Sequence, residues 1–282
     1  MKKIMILILI IIFSILFIIT ITHINNKKKT DVKTIKTNIN EESSLKNDLS
    51  KEKYYIPKNL TRYLNYTKNN KNLPLNKIII NVNCNLDKIK YEDIFKTDTS
   101  KDNLMLVNKY YYLTEEYTPN DLVTLTPKYN TGVNSSMRKE AAEAFMKMSD
   151  AATLDNIIIK NASAYRSYKY QVNLYDKYVE KDGKEAADTY SARPGFSEHQ
   201  TGLASDINQI NSDFENTDAF KWLDKNAHKY GFILRFPKNK EGITGYQYES
   251  WHYRYVGTKA AKIIKKENLT LEEYYAYYVE NN

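Results

Sequence analysis

The chain has 282 residues, enough for one large domain or two small ones. Its 42 basic and 34 acidic residues leave a net charge of +8. This modest excess is spread along the chain and argues against a nucleic-acid-binding protein. Cys84 is the only cysteine, which excludes an intramolecular disulfide, so the fold must depend on its apolar core.

The chain begins with an apolar run. Lys2 and Lys3 precede residues 4–21, which are apolar except for Ser14 and Thr20. That length lies at the boundary between a signal-peptide core and a membrane span, and no Ala-x-Ala cleavage pattern follows it. We therefore expect residues 1–22 to form an uncleaved signal anchor with a transmembrane helix, in preference to a cleaved signal peptide.

The next segment, residues 23–55, is polar, charged and almost without aromatic residues, which predicts a disordered tether. Aromatic residues become frequent from Tyr54 onwards, where a packed core becomes possible. We expect the folded domain to cover residues 56–282, with 56–133 as its less clearly patterned N-terminal part.

Helices and short strands alternate irregularly over this domain. Apolar spacing and end signals predict helices over 57–69, from 137 to about 148, and over 168–179, 184–190, 218–230, 258–266 and 271–278. Strands or extended segments are predicted over 77–84, 104–112, 122–125, 157–164, 232–236 and 251–256. The regular alternation of a parallel sheet is missing, so we predict an α+β fold.

Two short segments carry the chemistry, residues 197–206 (SEHQTGLASD) and residues 249–252 (ESWH). His199, Asp206 and His252 supply two imidazoles and a carboxylate. A catalytic zinc takes three such ligands and keeps its fourth position for water. Glu249 is a spare carboxylate that can serve as general base.

Strand periodicity suggests how these side chains are presented. Gly202, Ala204 and Asp206 would share one face of a strand, where the small residues leave room for a metal or substrate. Alternation on the second strand places His252 on one face and its aromatic neighbours on the other. Glu249 is three residues before His252, and on a regular strand residues three apart lie on opposite faces. We therefore place Glu249 on the turn that enters the strand.

The two segments resemble the zinc D-alanyl-D-alanine carboxypeptidases of the VanY type, in the group that also contains lysostaphin-like enzymes and the hedgehog signalling domain. The family pattern Ser-x-His-x-x-Gly-x-Ala-x-Asp is matched over 197–206, and Glu-x-x-His over 249–252. Similarity extends over residues 163–167 (SAYRS), Gln171 and residues 191–196 (SARPGF). The resemblance implies a small antiparallel sheet that carries the zinc site and is flanked by helices.

The resemblance also implies roles for individual residues. His199, Asp206 and His252 would bind Zn²⁺, and Glu249 would be the general base and acid. Arg166 would polarise the scissile carbonyl and stabilise the oxyanion.

Three further residues would hold the peptide by the same resemblance: Gln171, Arg193 and Ser197. Either Arg193 or Ser197 would lie near the terminal carboxylate. A guanidinium could equally serve a structural ion pair, so this reading of Arg193 stays open.

The expected function is removal of the C-terminal D-alanine from peptidoglycan stem peptides, on the extracytoplasmic side of a bacterial cytoplasmic membrane. An L,D-carboxypeptidase or an endopeptidase acting on the stem peptide is an alternative that the ligands cannot separate from it. A zinc-stabilised module that binds wall peptides without cleaving them is an alternative of another class. That module would need neither Glu249 nor Arg166.

Overall fold

The computed structural model describes residues 2–280. In the first helix, the side chains of residues 2–4, 6–12, 15 and 32–39 lie outside this description. The chain divides into two compact units, residues 1–79 and 80–282, which are described separately. This division does not coincide with the predicted boundary at residue 56.

The first unit is helical. Helix α1 spans Lys2–Leu49, a 3-10 turn at Pro57–Asn59 leads into α2 (Leu60–Asn69), and α3 (Leu75–Asn83) begins in this unit. The helix predicted over 57–69 is confirmed. Helix α1 continues through most of the segment for which a disordered tether was predicted. Residues 23–55 contain no glycine or proline, and an i,i+4 pair supports the helix, with Glu42 Oε1 2.8 Å from Lys46 Nζ.

The signal anchor predicted over residues 1–22 falls largely on side chains outside the description. Among the helices that the structure describes, none has an apolar stretch long enough to cross a membrane.

The strand predicted over 77–84 is wrong, because this segment belongs to α3. The backbone N–H groups of Lys77 and Ile78 donate to the carbonyl of Pro74, which starts the helix. The apolar residues Ile78 and Val82 are four positions apart and both buried, a spacing that fits a helix as well as an alternating strand.

A five-stranded sheet lies at the centre of the second unit, in the order β4-β6-β7-β9-β8. Neighbouring strands run antiparallel except β4 and β6, which are parallel. Two small pairs accompany it, β1 with β2 (parallel) and β3 with β5 (antiparallel). The strands are β1 Phe95–Lys96, β2 Tyr111–Tyr112, β3 Leu122–Thr124, β4 Asn130–Asn134, β5 Ser136–Arg138, β6 Asn161–Ser163, β7 Ala204–Ile207, β8 Phe232–Phe236 and β9 Glu249–Tyr255. The mixed helix and sheet fold is confirmed, but the sheet is not wholly antiparallel.

The helices of this unit lie at sequence positions close to those predicted, except for a short helix over 241–244 that was not predicted. Their ends follow local signals: Ser167 Oγ accepts a hydrogen bond from the Tyr170 N–H at the start of α5, and Gly183, with φ of 82°, ends it. The helices are α4 Lys139–Leu154, α5 Tyr168–Asp182, α6 Lys184–Tyr190, α7 Asp218–Asn226, α8 Glu241–Thr244, α9 Thr258–Glu267 and α10 Leu271–Tyr274.

The two faces of β9 have different surroundings, as alternation predicts. Tyr253 and Tyr255 join the main apolar core, where Phe145 of α4 packs against Phe232 of β8 at a centroid distance of 6.0 Å. His252 points to the opposite side, towards polar partners from β7 and the preceding turn. The core therefore supports the strand from behind while its polar face remains available for a site.

Candidate metal centre

The predicted ligands come together because β7 and β9 are neighbours. Asp206 of β7 lies directly opposite His252 of β9 in the antiparallel register. His199 lies in a 3-10 turn, Glu198–Thr201, that ends at Gly202 just before β7. Backbone pairing thus places Asp206 beside His252, and the turn before β7 adds His199.

Gly202 has a different role from the one predicted. It ends the 3-10 turn in the left-handed region with φ of 69°, where side chains are disfavoured. A Cβ atom there would lie 2.9 Å from Cδ2 of Leu122, so the position is also closely packed. Gly202 therefore lets the chain turn from His199 into β7, and does not open space for a ligand as expected.

The three ligand side chains are buried and their donor atoms converge, all within 4.8 Å of one another. His199 Nε2 is 3.5 Å from Asp206 Oδ2, and His252 Nδ1 is 3.1 Å from Asp206 Oδ1. Tetrahedral zinc with bonds near 2.0–2.1 Å separates its ligand atoms by roughly 3.3 Å, so this group fits the ion.

Hydrogen bonding orients the first imidazole for this task. His199 Nδ1 lies 2.7 Å from the carbonyl oxygen of Ala164, an acceptor, so the Nδ1–H donates to it. The lone pair is then on Nε2, the atom that faces Asp206. Burial, together with the nearby Arg166 charge, lowers the pKa of His199 to about 4, which keeps the ring neutral as a metal ligand must be.

Asp206 is the anionic member of the group that could hold the metal. Burial alone would raise its pKa, but the interaction with His199, which is charged only in its protonated form, and the permanent charge of Arg166 outweigh that effect and hold the pKa well below the ordinary value. Arg166 Nη2 lies 2.5 Å from Asp206 Oδ2, and Arg166 Nε donates to Ser163 Oγ at 3.0 Å. Arg166 therefore lies at the metal group, in direct contact with one of its ligands.

Glu249 also faces the group, although its position differs from the prediction. It is the first residue of β9 and not part of a turn. The β8–β9 pairing is irregular here: Tyr253 pairs with Leu234 and Glu249 with Phe236, so four residues of β9 span two of β8. Near this irregularity Glu249 Oε2 lies 3.6 Å from His252 Nδ1. Burial raises the pKa of Glu249 to about 7, which suits proton transfer near neutral pH.

A cavity of about 390 Å³ opens onto this group, within the range of small-molecule sites. Arg166, Gln171 and Ser197 line it together with the three metal ligands and Glu249. Apolar and aromatic side chains complete its walls: Val133, Leu174, Ile210, Tyr170, Tyr178, Tyr190, Phe196, Phe236, Tyr246 and Trp251.

Of the three residues expected to hold the peptide, two are in the cavity. Gln171 is buried and donates from Nε2 to the carbonyl of Ala192 at 2.8 Å, while its Oε1 has no hydrogen-bond partner among the described residues. Ser197 is also buried in the wall.

Arg193 does not line the cavity. Its guanidinium forms a two-point ion pair with Asp188, with Nη2–Oδ2 and Nε–Oδ1 distances of 2.6 and 3.0 Å. It also stacks over the Tyr91 ring, 3.9 Å from the centroid. The alternative of a structural ion pair is therefore the one that the geometry supports.

Sequence reasoning missed Glu198, which lies beside the metal group. Its Oε1 accepts hydrogen bonds from Arg235 Nε and Arg254 Nη1, both at 2.8 Å, and its Oε2 is 3.6 Å from His252 Nε2. Burial alone would raise the pKa of Glu198, but the two arginine charges outweigh it and hold the pKa far below the ordinary value. A signal existed: Arg235 interrupts the apolar strand FILRF, and a buried arginine requires a carboxylate nearby.

Comparison with known proteins bears on this site. The family described as "VanY: D-alanyl-D-alanine carboxypeptidase" matches residues 134–258. This range contains every metal-group residue discussed above. YodJ of Bacillus subtilis (strain 168) is 46% identical over 197 residues, which cover 66% of this chain and 72% of YodJ. The D-alanyl-D-alanine carboxypeptidase of Enterococcus faecium is 36% identical over 189 residues, covering 63% of this chain and 59% of that enzyme.

Solved structures show the same likeness. The LD-carboxypeptidase LdcB is 43% identical with a TM-score of 0.62, over 67% of this chain and 92% of LdcB. A vancomycin-resistance D,D-pentapeptidase VanY in complex with Zn(II) is 36% identical with a TM-score of 0.53, over 61% of this chain and 98% of that one. With a His–Asp–His group of the right chemistry, a carboxylate beside it and these relatives, the chain belongs to the VanY family of zinc D-alanyl-D-alanine carboxypeptidases.

Proposed function

We propose that this carboxypeptidase removes the C-terminal D-alanine from a peptidoglycan stem pentapeptide outside the cytoplasmic membrane. The observation that carries the proposal is the convergence of His199, Asp206 and His252 with Glu249 on one cavity. A non-catalytic zinc module has no need of a carboxylate with a pKa of about 7 beside its ligands. Catalysis therefore accounts for the site better than binding alone.

The protein groups divide the chemistry between them. Bound zinc supplies Lewis-acid polarisation of the scissile carbonyl and lowers the pKa of water. Glu249 accepts a proton from the attacking water at its carboxylate and returns it to the amine of the departing D-alanine. Arg166, held by Ser163 and Asp206, places positive charge at the carbonyl oxygen where negative charge develops.

The cavity also offers groups that would position the peptide. Gln171 Oε1 is a buried acceptor without a partner among the described residues, and a peptide N–H would satisfy it. Ser197, in the wall beside the metal group, would contact the terminal carboxylate, since Arg193 is engaged by Asp188.

The test is digestion of defined stem peptides by the zinc-loaded protein, followed by mass analysis. Release of one D-alanine from the pentapeptide, abolished by a chelator, is the expected result. If the protein bound the pentapeptide and returned it intact, the non-catalytic alternative would hold.

A tetrapeptide is the second candidate substrate, because the similarity to the LD-carboxypeptidase LdcB is as extensive as that to VanY. The same digestion separates the two. Loss of D-alanine from the tetrapeptide but not from the pentapeptide would make the protein an L,D-carboxypeptidase, and cleavage within the stem would make it an endopeptidase.

We also propose that the N-terminal segment anchors the enzyme in the membrane. The support is the apolar run of residues 4–21 behind Lys2 and Lys3. Peptidoglycan lies outside the cytoplasmic membrane, so an anchored enzyme with its domain outside would meet its substrate. Membrane fractionation of cells that express the full chain or residues 23–282 tests this, and release of the full chain by washing alone would refute it.

A further inference from the structure

Glu198 divides its two carboxylate oxygens between different partners. It is 4% exposed, and Oε1 alone accepts from both arginines, Arg235 and Arg254. Oε2 is buried without a hydrogen-bond partner among the described residues, and so is His252 Nε2. These two orphaned atoms lie 3.6 Å apart.

This division is unexpected for a carboxylate that only neutralises arginines. An arginine fork and a carboxylate usually pair through two oxygens, as Arg235 does with Glu272 at 2.9 and 2.6 Å. At Glu198 the second oxygen is withheld from the guanidinium groups and turned towards the imidazole. A movement of less than about 1 Å would bring that contact to hydrogen-bond distance.

We propose that Glu198 is a positioning residue for the metal centre, which accepts the Nε2–H of His252 and so leaves the lone pair on Nδ1. Nδ1 is the atom that faces Asp206, 3.1 Å from its Oδ1. A neutral imidazole carries one N–H, and the partner of that N–H decides which nitrogen can bind a metal. The inference rests on the proposed function only in requiring that the His–Asp–His group holds zinc.

The two arginines behind the Glu198 carboxylate are themselves held in place, as this role requires. Arg254 donates from Nη2 to the carbonyls of Asn103 and Met105, at 3.0 and 2.8 Å, and Arg235 is held by Glu272. Both arginines are fully buried. The Glu198 carboxylate therefore has two fixed donors at Oε1, while Oε2 faces His252.

Three variants test the proposal. Glu198→Gln replaces the acceptor by an amide, whose NH₂ can donate to Nε2 and favour the tautomer with the proton on Nδ1. Glu198→Asp keeps the negative charge for the arginines but withdraws it by one methylene from His252. Glu272→Gln is the matched control, because it removes a buried carboxylate from the same network without touching His252.

Zinc affinity, measured by competition with a chromophoric chelator, should fall about 10- to 100-fold in Glu198→Gln and Glu198→Asp. It should stay within about twofold of wild type in Glu272→Gln. Imidazole ¹⁵N shifts of the zinc-loaded wild-type protein should show His252 protonated on Nε2, with an N–H that exchanges more slowly than in Glu198→Asp. Thermal unfolding separates loss of zinc affinity from loss of stability in each variant.

Equal loss of zinc affinity in Glu272→Gln and the Glu198 variants would overturn the proposal, since the network would then act only through stability. Unchanged affinity in Glu198→Asp would overturn it as well, and that variant decides if Glu198→Gln does not fold. Because the readout is zinc binding, these outcomes are independent of substrate. If wild type binds zinc but releases no D-alanine, the proposed function fails and the role of Glu198 is still decided.

Discussion

Glu249 Oε2 lies 3.6 Å from His252 Nδ1, although the two residues are three positions apart on one β-strand. Regular alternation would put them on opposite faces. The pairing of β8 and β9 is irregular between Glu249 and Tyr253, and both Glu249 and His252 face the metal group. Glu249, the proposed general base, thus belongs to the same strand as His252, so the distance between the two side chains depends on the backbone of that strand.

Glu249→Gln should lower the turnover of D-alanine release by about 10²- to 10⁴-fold, the usual contribution of a general base, because the amide cannot take up a proton. Zinc affinity should change little, since Glu249 is not one of the three ligands. Turnover is measured by D-alanine detection under saturating substrate. Full activity of the zinc-loaded variant would remove Glu249 from the mechanism.

Arg166→Lys should lower kcat/KM by about 10²-fold, because a charged donor worth about 3 kcal/mol is moved away from the carbonyl oxygen. Lysine keeps the charge but cannot reach Ser163 and Asp206 at once, as the guanidinium does through Nε and Nη2. Steady-state kinetics together with zinc titration check this. A loss confined to zinc affinity would show that Arg166 acts only through Asp206.

Gln171→Ala and Arg193→Ala should separate peptide binding from structural support. Gln171 offers a buried acceptor in the cavity, so its loss should raise KM several-fold. Arg193 pairs with Asp188 outside the cavity, so its loss should destabilise the fold by about 1 kcal/mol and leave KM within about twofold. Asp188→Asn is the matched control for Arg193→Ala. A large KM effect of Arg193→Ala alone, without one in Asp188→Asn, would assign Arg193 to the substrate.

Metal removal should abolish D-alanine release and lower the melting temperature, because a ligand that binds only the folded state stabilises it. Restoring Zn²⁺ after dialysis should recover both. The measurement is calorimetric unfolding with parallel activity assays, and His252→Ala is the control that should show neither the stabilisation nor the recovery. Activity that persists after complete chelation would contradict a zinc mechanism.

Lys109 predicts a pH dependence away from the metal. Its Nζ donates to the carbonyl of Asp188 and lies 4.4 Å from the Tyr246 ring centroid, and burial, aided by the Lys90 charge, lowers its pKa to about 8. Below pH 8 both folded and unfolded chains carry this proton. Between pH 8 and the unfolded pKa near 10.4 the unfolded chain binds more protons, so stability due to Lys109 rises with pH.

The comparison is urea unfolding of wild type and Lys109→Met at pH 7.5 and pH 9.5. The stability of wild type relative to the variant should increase between these two values. If the difference in unfolding free energy between wild type and variant were the same at both pH values, Lys109 would have the same pKa in the folded and unfolded states.

Much of the fold follows from local pattern. Helices α4 to α7 and strand β8 lie close to where apolar spacing and end signals such as Gly183 predict them, because caps and periodicity act within a few residues. The segment with Ile78 and Val82 was assigned wrongly, since its apolar positions fit both periods and packing decides between them. Strand β4 had no clear pattern, and its parallel pairing with β6 depends on a partner 31 residues away, Asn130 opposite Asn161.

The candidate metal ligands and the candidate base could be identified from the spacing of residues 197–206 and 249–252, because donor chemistry is a property of side chains. The arrangement of these side chains in space could not be predicted from that spacing. Arg193 forms an ion pair with Asp188 and does not line the cavity. Glu198 contacts Arg235 and Arg254, which are 37 and 56 residues further along the chain. Buried charges must be paired with whatever the packed chain brings within reach, and that is a property of the tertiary structure alone.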